Sequence, residues 1–163
     1  MDIASALFDE VQRYADVSLV IKAHPFDYGE LYQSMIAERN LSGRVTLSVD
    51  SVEQEIKSAG VVLTEDSTVG LEAMIFGRPV IHTHFATSPP AIDFADAGAA
   101  RRAFDPKMLS EALATTCRTD HVDARMHEAQ RKLLDRHLGS LDGNAGQRVR
   151  DLVCELMNSP RVE

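Results

Sequence analysis

The chain has 163 residues, the length of one ordinary domain. Hydrophobic residues make up 44% of it and charged residues 26%, a balance that excludes a disordered or fibrous protein. Its 17 basic and 25 acidic side chains give a net charge of −8 without any basic stripe, so we expect no nucleic-acid partner.

The first half of the chain alternates helical and strand-like patterns. In order these are a helix over 2–15, a strand over 17–23, a helix over 31–43, a strand over 45–47, a short helix opened by Ser51, a strand over 60–64, a helix over 67–77 and a strand over 78–81. The strands are apolar throughout, which indicates sheets covered on both faces. Strand–helix–strand order favours parallel pairing with right-handed crossovers. The pattern therefore predicts a Rossmann-like three-layer α/β domain with a parallel sheet.

The second half is predominantly helical. Residues 84–104 are irregular, with one short edge strand expected, and helical patterns begin at Asp105. We therefore expect a single domain over 1–163, with a sheet region over 1–104 and a helical tail over 105–163. A domain of this class normally opens with a strand, whereas this chain opens with a helix. We expect the opening strand and any preceding acceptor domain to lie outside this chain.

Polar residues follow the ends of several predicted strands. In open parallel sheets, ligands bind outside the carboxyl ends of the strands. The residues found there are His24 and Pro25 after the first strand, Ser51 after the second, Asp66, Ser67 and Thr68 after the third, and His82 in the fourth. This convergence predicts a binding site at one edge of the sheet.

The third strand leads into the strongest local signal. The hydroxyls of Ser67 and Thr68, with the free amides of a helix start, suit a phosphate. Gly70 would let a ligand approach the backbone closely, and Glu72 could accept hydrogen bonds from a ribose diol. The alternative is that Ser67 only caps the helix and Glu72 is solvated. These residues alone favour neither interpretation.

Histidines supply the second signal. Pro25 restrains His24 to extended geometry, from which its imidazole could donate to a phosphate. An isolated histidine more commonly caps a strand end, and Lys22 beside it could simply be solvated. His82 and His84 point the same way on an extended strand, but no third metal ligand is evident. We therefore predict ligand contact by His82, without a metal site.

Two segments resemble a known family. VIKAHP (Val20–Pro25) and DSTVGLEAMIFGRPVI (Asp66–Ile81) resemble the C-terminal, donor-binding domain of GT-B glycosyltransferases. The likeness is greatest to capsule polysaccharide enzymes of the polysialyltransferase and Kdo-transferase type, and to CDP-glycerol glycerophosphotransferases. The segment Leu141–Val153 is similar to their closing helix. The second motif also recurs in the UDP-N-acetylglucosamine 2-epimerase fold.

The resemblance implies a donor-binding domain for bacterial cell-surface polysaccharide synthesis. It places His24 on the donor phosphate or cytidine, Ser67 and Thr68 on the phosphates, and Glu72 on the ribose. The implied ligand is a CMP- or CDP-activated sugar or polyol, with no cofactor. In such enzymes the catalytic base lies largely in the N-terminal domain. We therefore assign no catalytic residue in this chain and expect no turnover by it alone.

The location is predicted from the apolar pattern of the chain, and the partners are implied by the family resemblance. No apolar run approaches the ~20 residues of a membrane span, so we expect a cytoplasmic protein, with peripheral contact to the inner face of the membrane as a further option. Its expected partners are the activated donor and an acceptor domain, and a surface left uncovered could promote homo-oligomers. Two alternatives stay open: a 2-epimerase-like domain that prefers uridine nucleotides, and a truncated, non-catalytic interaction module.

Overall fold

The computed structural model describes residues 3–24, 29–117 and 122–158. Pro25, a predicted site residue, lies outside the described residues. The elements in chain order are α1 (Ile3–Arg13), β1 (Leu19–Ile21), α2 (Gly29–Glu38), β2 (Val45–Leu47), α3 (Val52–Ser58), β3 (Val62–Thr64), α4 (Val69–Ile75), β4 (Val80–Thr83), β5 (Arg101–Ala103), α5 (Pro106–Thr116), α6 (Ala124–Leu138) and α7 (Ala145–Asn158).

All the strand pairs described are parallel, and they form two sheets. Strand β1 pairs with β2, while β3, β4 and β5 form a second sheet in that order. The predicted Rossmann-like α/β fold with a helical tail is therefore confirmed, including the short edge strand β5. Unlike the single sheet expected, the described strands form two separate sheets.

The larger sheet is covered on both faces. Every residue of β4 is buried. Val80 packs in a cluster with Leu71 of α4 and Leu133 of α6, whereas the next residue, Ile81, packs with α1 and Leu109 of α5. Because successive side chains of a strand point to opposite faces, this alternation places α4 and α6 on one side and α1 and α5 on the other. The three-layer prediction holds for this sheet.

Helix α1 packs against both sheets. Its Ala6 belongs to the cluster around Ile81 of β4, and its Phe8 and Val11 belong to the cluster around Val45 of β2. Phe8 is completely buried. Apolar burial of this kind is the main favourable term in folding, so α1 is the element that joins the two halves of the fold.

The smaller sheet departs from the prediction that both faces are covered. Val20 at the centre of β1 is 47% exposed, and its register partner Thr46 is exposed as well. Their neighbours Leu19 and Ile21 pack with α1 and α2 on the opposite face. The continuously apolar sequence of β1 predicts a covering layer on each face of the sheet. Within the described residues, only one layer covers β1.

The helical tail forms as its caps predict. Asp105 accepts the Met108 N–H at 2.8 Å, with Pro106 in the first turn, and Asp123 caps α6 in the same way. Helix α7 differs because all its residues are exposed, including the apolar stripe of Val149, Leu152, Val153 and Leu156. None of the helices described is long and apolar enough to cross a membrane.

Helix α4 packs closely on the chain beyond β4 through Gly70. A Cβ added at this position would lie 2.7 Å from Cζ of Phe94 and 3.0 Å from Cγ2 of Thr64. Gly70 is buried, so its lack of a side chain serves packing between α4 and Phe94. The close approach of a ligand at Gly70 stays a prediction, whereas this steric requirement is part of the fold.

Gly70→Ala should therefore destabilise the protein by about 1–3 kcal/mol, because the new methyl group overpacks a filled interior. The matched control is Gly146→Ala in α7, where nothing lies within 4 Å of an added Cβ. That change should instead be neutral or stabilising by up to about 1 kcal/mol. Chemical denaturation of both variants measures the difference. Equal effects of the two substitutions would contradict the packing role of Gly70.

Candidate functional site

The candidate site lies at the carboxyl end of β3 and β4. Thr64 and His82 are register partners, and the Thr83 hydroxyl donates to the Thr64 carbonyl at 3.2 Å. The two strands therefore end level with each other. Asp66 and His84, each two residues beyond that register pair, lie close together, as Asp66 Oδ2 is 3.7 Å from His84 Nδ1. The predicted convergence of polar groups is confirmed for these two strands.

The turn between β3 and α4 is held by local hydrogen bonds. The Ser67 N–H donates to the Glu65 carbonyl at 2.7 Å, and the Ser67 hydroxyl oxygen accepts the Val69 N–H at 3.3 Å. The helix begins at Val69, later than predicted, with Thr68 in the N-cap position. Thr68 is exposed, and its side chain makes no capping bond. The Thr68 hydroxyl is thus the more available of the two predicted phosphate contacts.

The backbone amides at the start of α4 are already used within the chain. The Gly70 N–H donates to the Ser67 carbonyl at 3.1 Å, and the N–H groups of Leu71 and Glu72 donate to the Thr68 carbonyl. A phosphate at this turn would accordingly depend on hydroxyl groups more than on free amides. The Glu72 side chain is exposed one turn further along, where its predicted contact with a ribose stays a prediction.

His82 is the most unusual residue of the site. It is 0% exposed, and the edges of Phe94 and Phe104 lie against it with ring centroids 5.3 and 5.1 Å away. Neither of its ring nitrogens has a hydrogen-bond partner within the described part of the chain. A buried polar atom left unpaired costs about 1–3 kcal/mol, so the fold retains His82 at a cost to stability.

Burial also sets the charge of this ring. Desolvation lowers the pKa of His82 below its ordinary value, because water no longer stabilises the imidazolium, while the Asp66 carboxylate acts in the opposite direction. The net direction is downward. At neutral pH this shift favours the neutral imidazole beside Phe94 and Phe104.

His84 also lies in the site, although the H-x-H pattern predicted ligand contact for His82 alone. It is 5% exposed, and its Nε2 lies 2.5 Å from the Ser88 carbonyl. Its Nδ1 faces the carboxylates of Asp66 at 3.7 Å and Glu65 at 3.8 Å. The only signal in the sequence was its position two residues after His82, on the same face of the strand. We find no group of three metal-ligating side chains suitably placed in the ranges described.

Asp66 connects β3 to the segment that follows β4. Its Oδ1 accepts the Ala91 N–H at 2.9 Å, while Oδ2 faces His84. Asp66 was only a secondary candidate in the sequence. Asp66 therefore accepts one hydrogen bond from the segment that follows β4 and brings a carboxylate near His84.

Three of the predicted site residues, His24, Lys22 and Ser51, lie near the smaller sheet. His24 and Lys22 are exposed beyond the end of β1, whereas Ser67 and Thr68 follow β3 in the other sheet. The meeting of His24 with the two hydroxyls in one pocket therefore stays a prediction. Ser51 caps α3, where its hydroxyl oxygen accepts the Gln54 N–H at 3.3 Å.

The neutral state of His82 predicts a pH-dependent stability. Since its pKa is lower in the folded than in the unfolded chain, the unfolded chain binds more protons below about pH 6.5. The free energy of unfolding should therefore fall as the pH drops below that value. His82→Phe, which keeps an aromatic ring but cannot be protonated, should lose this part of the pH dependence.

Denaturation of the wild type and both variants between about pH 5 and pH 8 checks this expectation. The control is His137→Gln, since His137 is exposed on α6. The slope should be shallower in His82→Phe and unchanged in His137→Gln. Identical slopes in the wild type and His82→Phe would show that His82 is not held neutral.

Comparison with known proteins identifies the family. A search of curated proteins finds no match. The family model described as capsule polysaccharide biosynthesis protein matches residues 3–87, which span α1 to β4 and the first residues beyond. The match thus covers more than half of the chain and includes the β3–α4 turn, His82 of β4 and His84 just beyond it. The chain belongs to the capsule polysaccharide biosynthesis protein family.

Proposed function

We propose that this chain binds the nucleotide part of an activated sugar or polyol donor in the synthesis of a cell-surface polysaccharide. The donor is of the CMP or CDP type, and the chain acts as the donor-binding part of a GT-B glycosyltransferase or glycerophosphotransferase. Membership of the capsule polysaccharide biosynthesis family supports the process. The nucleotide and the transfer reaction are inferred from the site and from the motifs described above.

One observation carries the proposal: the parallel strands β3 and β4 end at a common edge that is rich in polar groups. Asp66 and His84 lie within 3.7 Å of each other there, and Ser67 and Thr68 follow directly. Ligands of open parallel sheets bind at this edge. The unpartnered nitrogens of buried His82 are a second, independent sign of a functional site.

The groups at this edge suit the different parts of a nucleotide. The hydroxyls of Ser67 and Thr68 can donate to phosphate oxygens, and the Glu72 carboxylate can accept from ribose hydroxyls. In a transfer reaction, negative charge develops on the departing nucleotide phosphate. Donors already aimed at that phosphate stabilise the transition state more than the ground state. The role proposed for this chain is to hold the leaving group.

Calorimetric titration tests the proposal and separates it from the alternatives. We expect CMP or CDP to bind in preference to UDP or ADP. Preference for UDP would favour an epimerase-like domain. The absence of binding by every nucleotide at millimolar concentration, in a folded sample, would overturn the proposal and favour an interaction module.

Substitutions then test the residues. Ser67→Ala and Thr68→Ala should each weaken CDP binding roughly tenfold, the effect of losing one hydrogen bond to a charged group. Ser58→Ala is the matched control, because Ser58 ends α3 at the amino end of β3, on the opposite edge of the sheet. It should leave affinity unchanged.

His24→Ala tests the histidine of the smaller sheet in the same assay, with His137→Ala as its control. A similar loss is expected if His24 reaches the phosphate. Unchanged affinity in His24→Ala alone would remove this residue from the site. Unchanged affinity in all three site variants would place the nucleotide elsewhere.

A further inference from the structure

The segment that follows β4 lies against the candidate site. Residues 85–91 are irregular and mostly exposed, and we call them the strap. Two hydrogen bonds connect the strap to the site: His84 Nε2 donates to the Ser88 carbonyl at 2.5 Å, and the Ala91 N–H donates to Asp66 Oδ1 at 2.9 Å. The strap is therefore attached at its middle and at its end.

The hydrogen bond of His84 shows how its ring is oriented. A carbonyl oxygen can only accept, so Nε2 carries a proton and points at Ser88. On the other side of the ring, Nδ1 faces the carboxylates of Glu65 and Asp66. Both separations exceed hydrogen-bond distance, and Nδ1 has no hydrogen-bond partner among the residues described. Within the described ranges, the Ser88 carbonyl is therefore the one hydrogen-bond partner of the ring, and it fixes the direction of the Nε2–H.

The Ser88 carbonyl of the strap accepts the Nε2–H of His84, and a ligand could accept this N–H instead. A phosphate oxygen is a stronger acceptor than a backbone carbonyl because it carries negative charge. Ser67 and Thr68, the proposed phosphate contacts, directly follow Asp66 in the chain. In addition, His82 lies beside His84 with ring centroids 6.3 Å apart, and its buried nitrogens have no partner among the residues described. The Nδ1 of His84 likewise makes no hydrogen bond within the described ranges.

We propose that the strap is held closed over the site by His84 and that a bound nucleotide opens it. On binding, a phosphate oxygen of the donor accepts the Nε2–H that His84 otherwise donates to Ser88, and the strap detaches. This inference rests on the proposed function and adds His84 as a phosphate-binding residue. Phe85 at the start of the strap packs against the cluster around Ile81, whereas the residues beyond it are mostly exposed, as expected for a segment that opens locally without unfolding the core.

Amide hydrogen exchange of the full chain, with and without CDP, tests the proposal. In the wild type, CDP should speed exchange of the Ala91 amide, whose N–H is bonded to Asp66 Oδ1, at least about tenfold, while exchange in β4 stays slow. In His84→Ala this amide should already exchange fast without nucleotide. CDP affinity in that variant should fall roughly tenfold.

His84→Gln provides a second variant with a readout that a purely structural role would not move. A glutamine can still donate an N–H at similar reach, so it should recover part of the affinity lost in His84→Ala. His137→Ala is the control and should match the wild type in both assays. If His84→Ala does not fold, the glutamine variant and the wild-type exchange data still test the proposal.

The possible outcomes separate this inference from the proposed function. If CDP binds but strap exchange does not increase and His84→Gln and His84→Ala bind normally, the strap mechanism is wrong and the proposed function stands. If no nucleotide binds to the wild type, both are wrong. Faster strap exchange with CDP, together with weaker binding in His84→Ala, supports both.

Discussion

The parallel pairing of β3 with β4 is the constraint on which the candidate site depends. The register that sets Thr64 beside His82 ends both strands at one edge, so groups distant in sequence become neighbours. Asp66 and His84 meet there although 18 positions separate them in the numbering. A slip in the register of β4 by one residue would turn His82 and His84 to the opposite face, towards α1 and α5. The geometry of the site therefore depends on the register of this strand pair.

Much of the fold could be predicted because its signals are local. Asp105 and Ser51 cap their helices through bonds that span three residues, and such spacing is visible in the sequence. Alternation of strands and helices predicts parallel pairing in the same way. The position of Gly77 after α4 also agrees with expectation, since its φ of +67° suits the residue that ends a helix.

The features of the fold and the site that could not be predicted depend on contacts between residues far apart in the sequence. Nothing in the sequence indicates that Gly70 packs on Phe94, or that the strap would meet His84 and Asp66. The division into two sheets and the exposure of Val20 likewise follow from which elements cover which face. Sequence patterns predicted that polar groups would meet at the ends of β3 and β4, and the structure brings Asp66 and His84 together there. They did not predict a role for His84. The H-x-H pattern is the same whether the second histidine is solvated or hydrogen-bonded to a loop.

The proposed function requires that a cytidine nucleotide binds at the carboxyl edge of β3 and β4. Backbone amide chemical shifts of the ¹⁵N-labelled protein, recorded during a titration with CDP, test it most directly. We expect the shifts to change at residues 65–70, 84–88 and 91. The amides of Ser58 and Arg78, at the amino ends of the same strands, should stay constant. Changes concentrated at the amino ends or along α7, with a silent carboxyl edge, would contradict the claim.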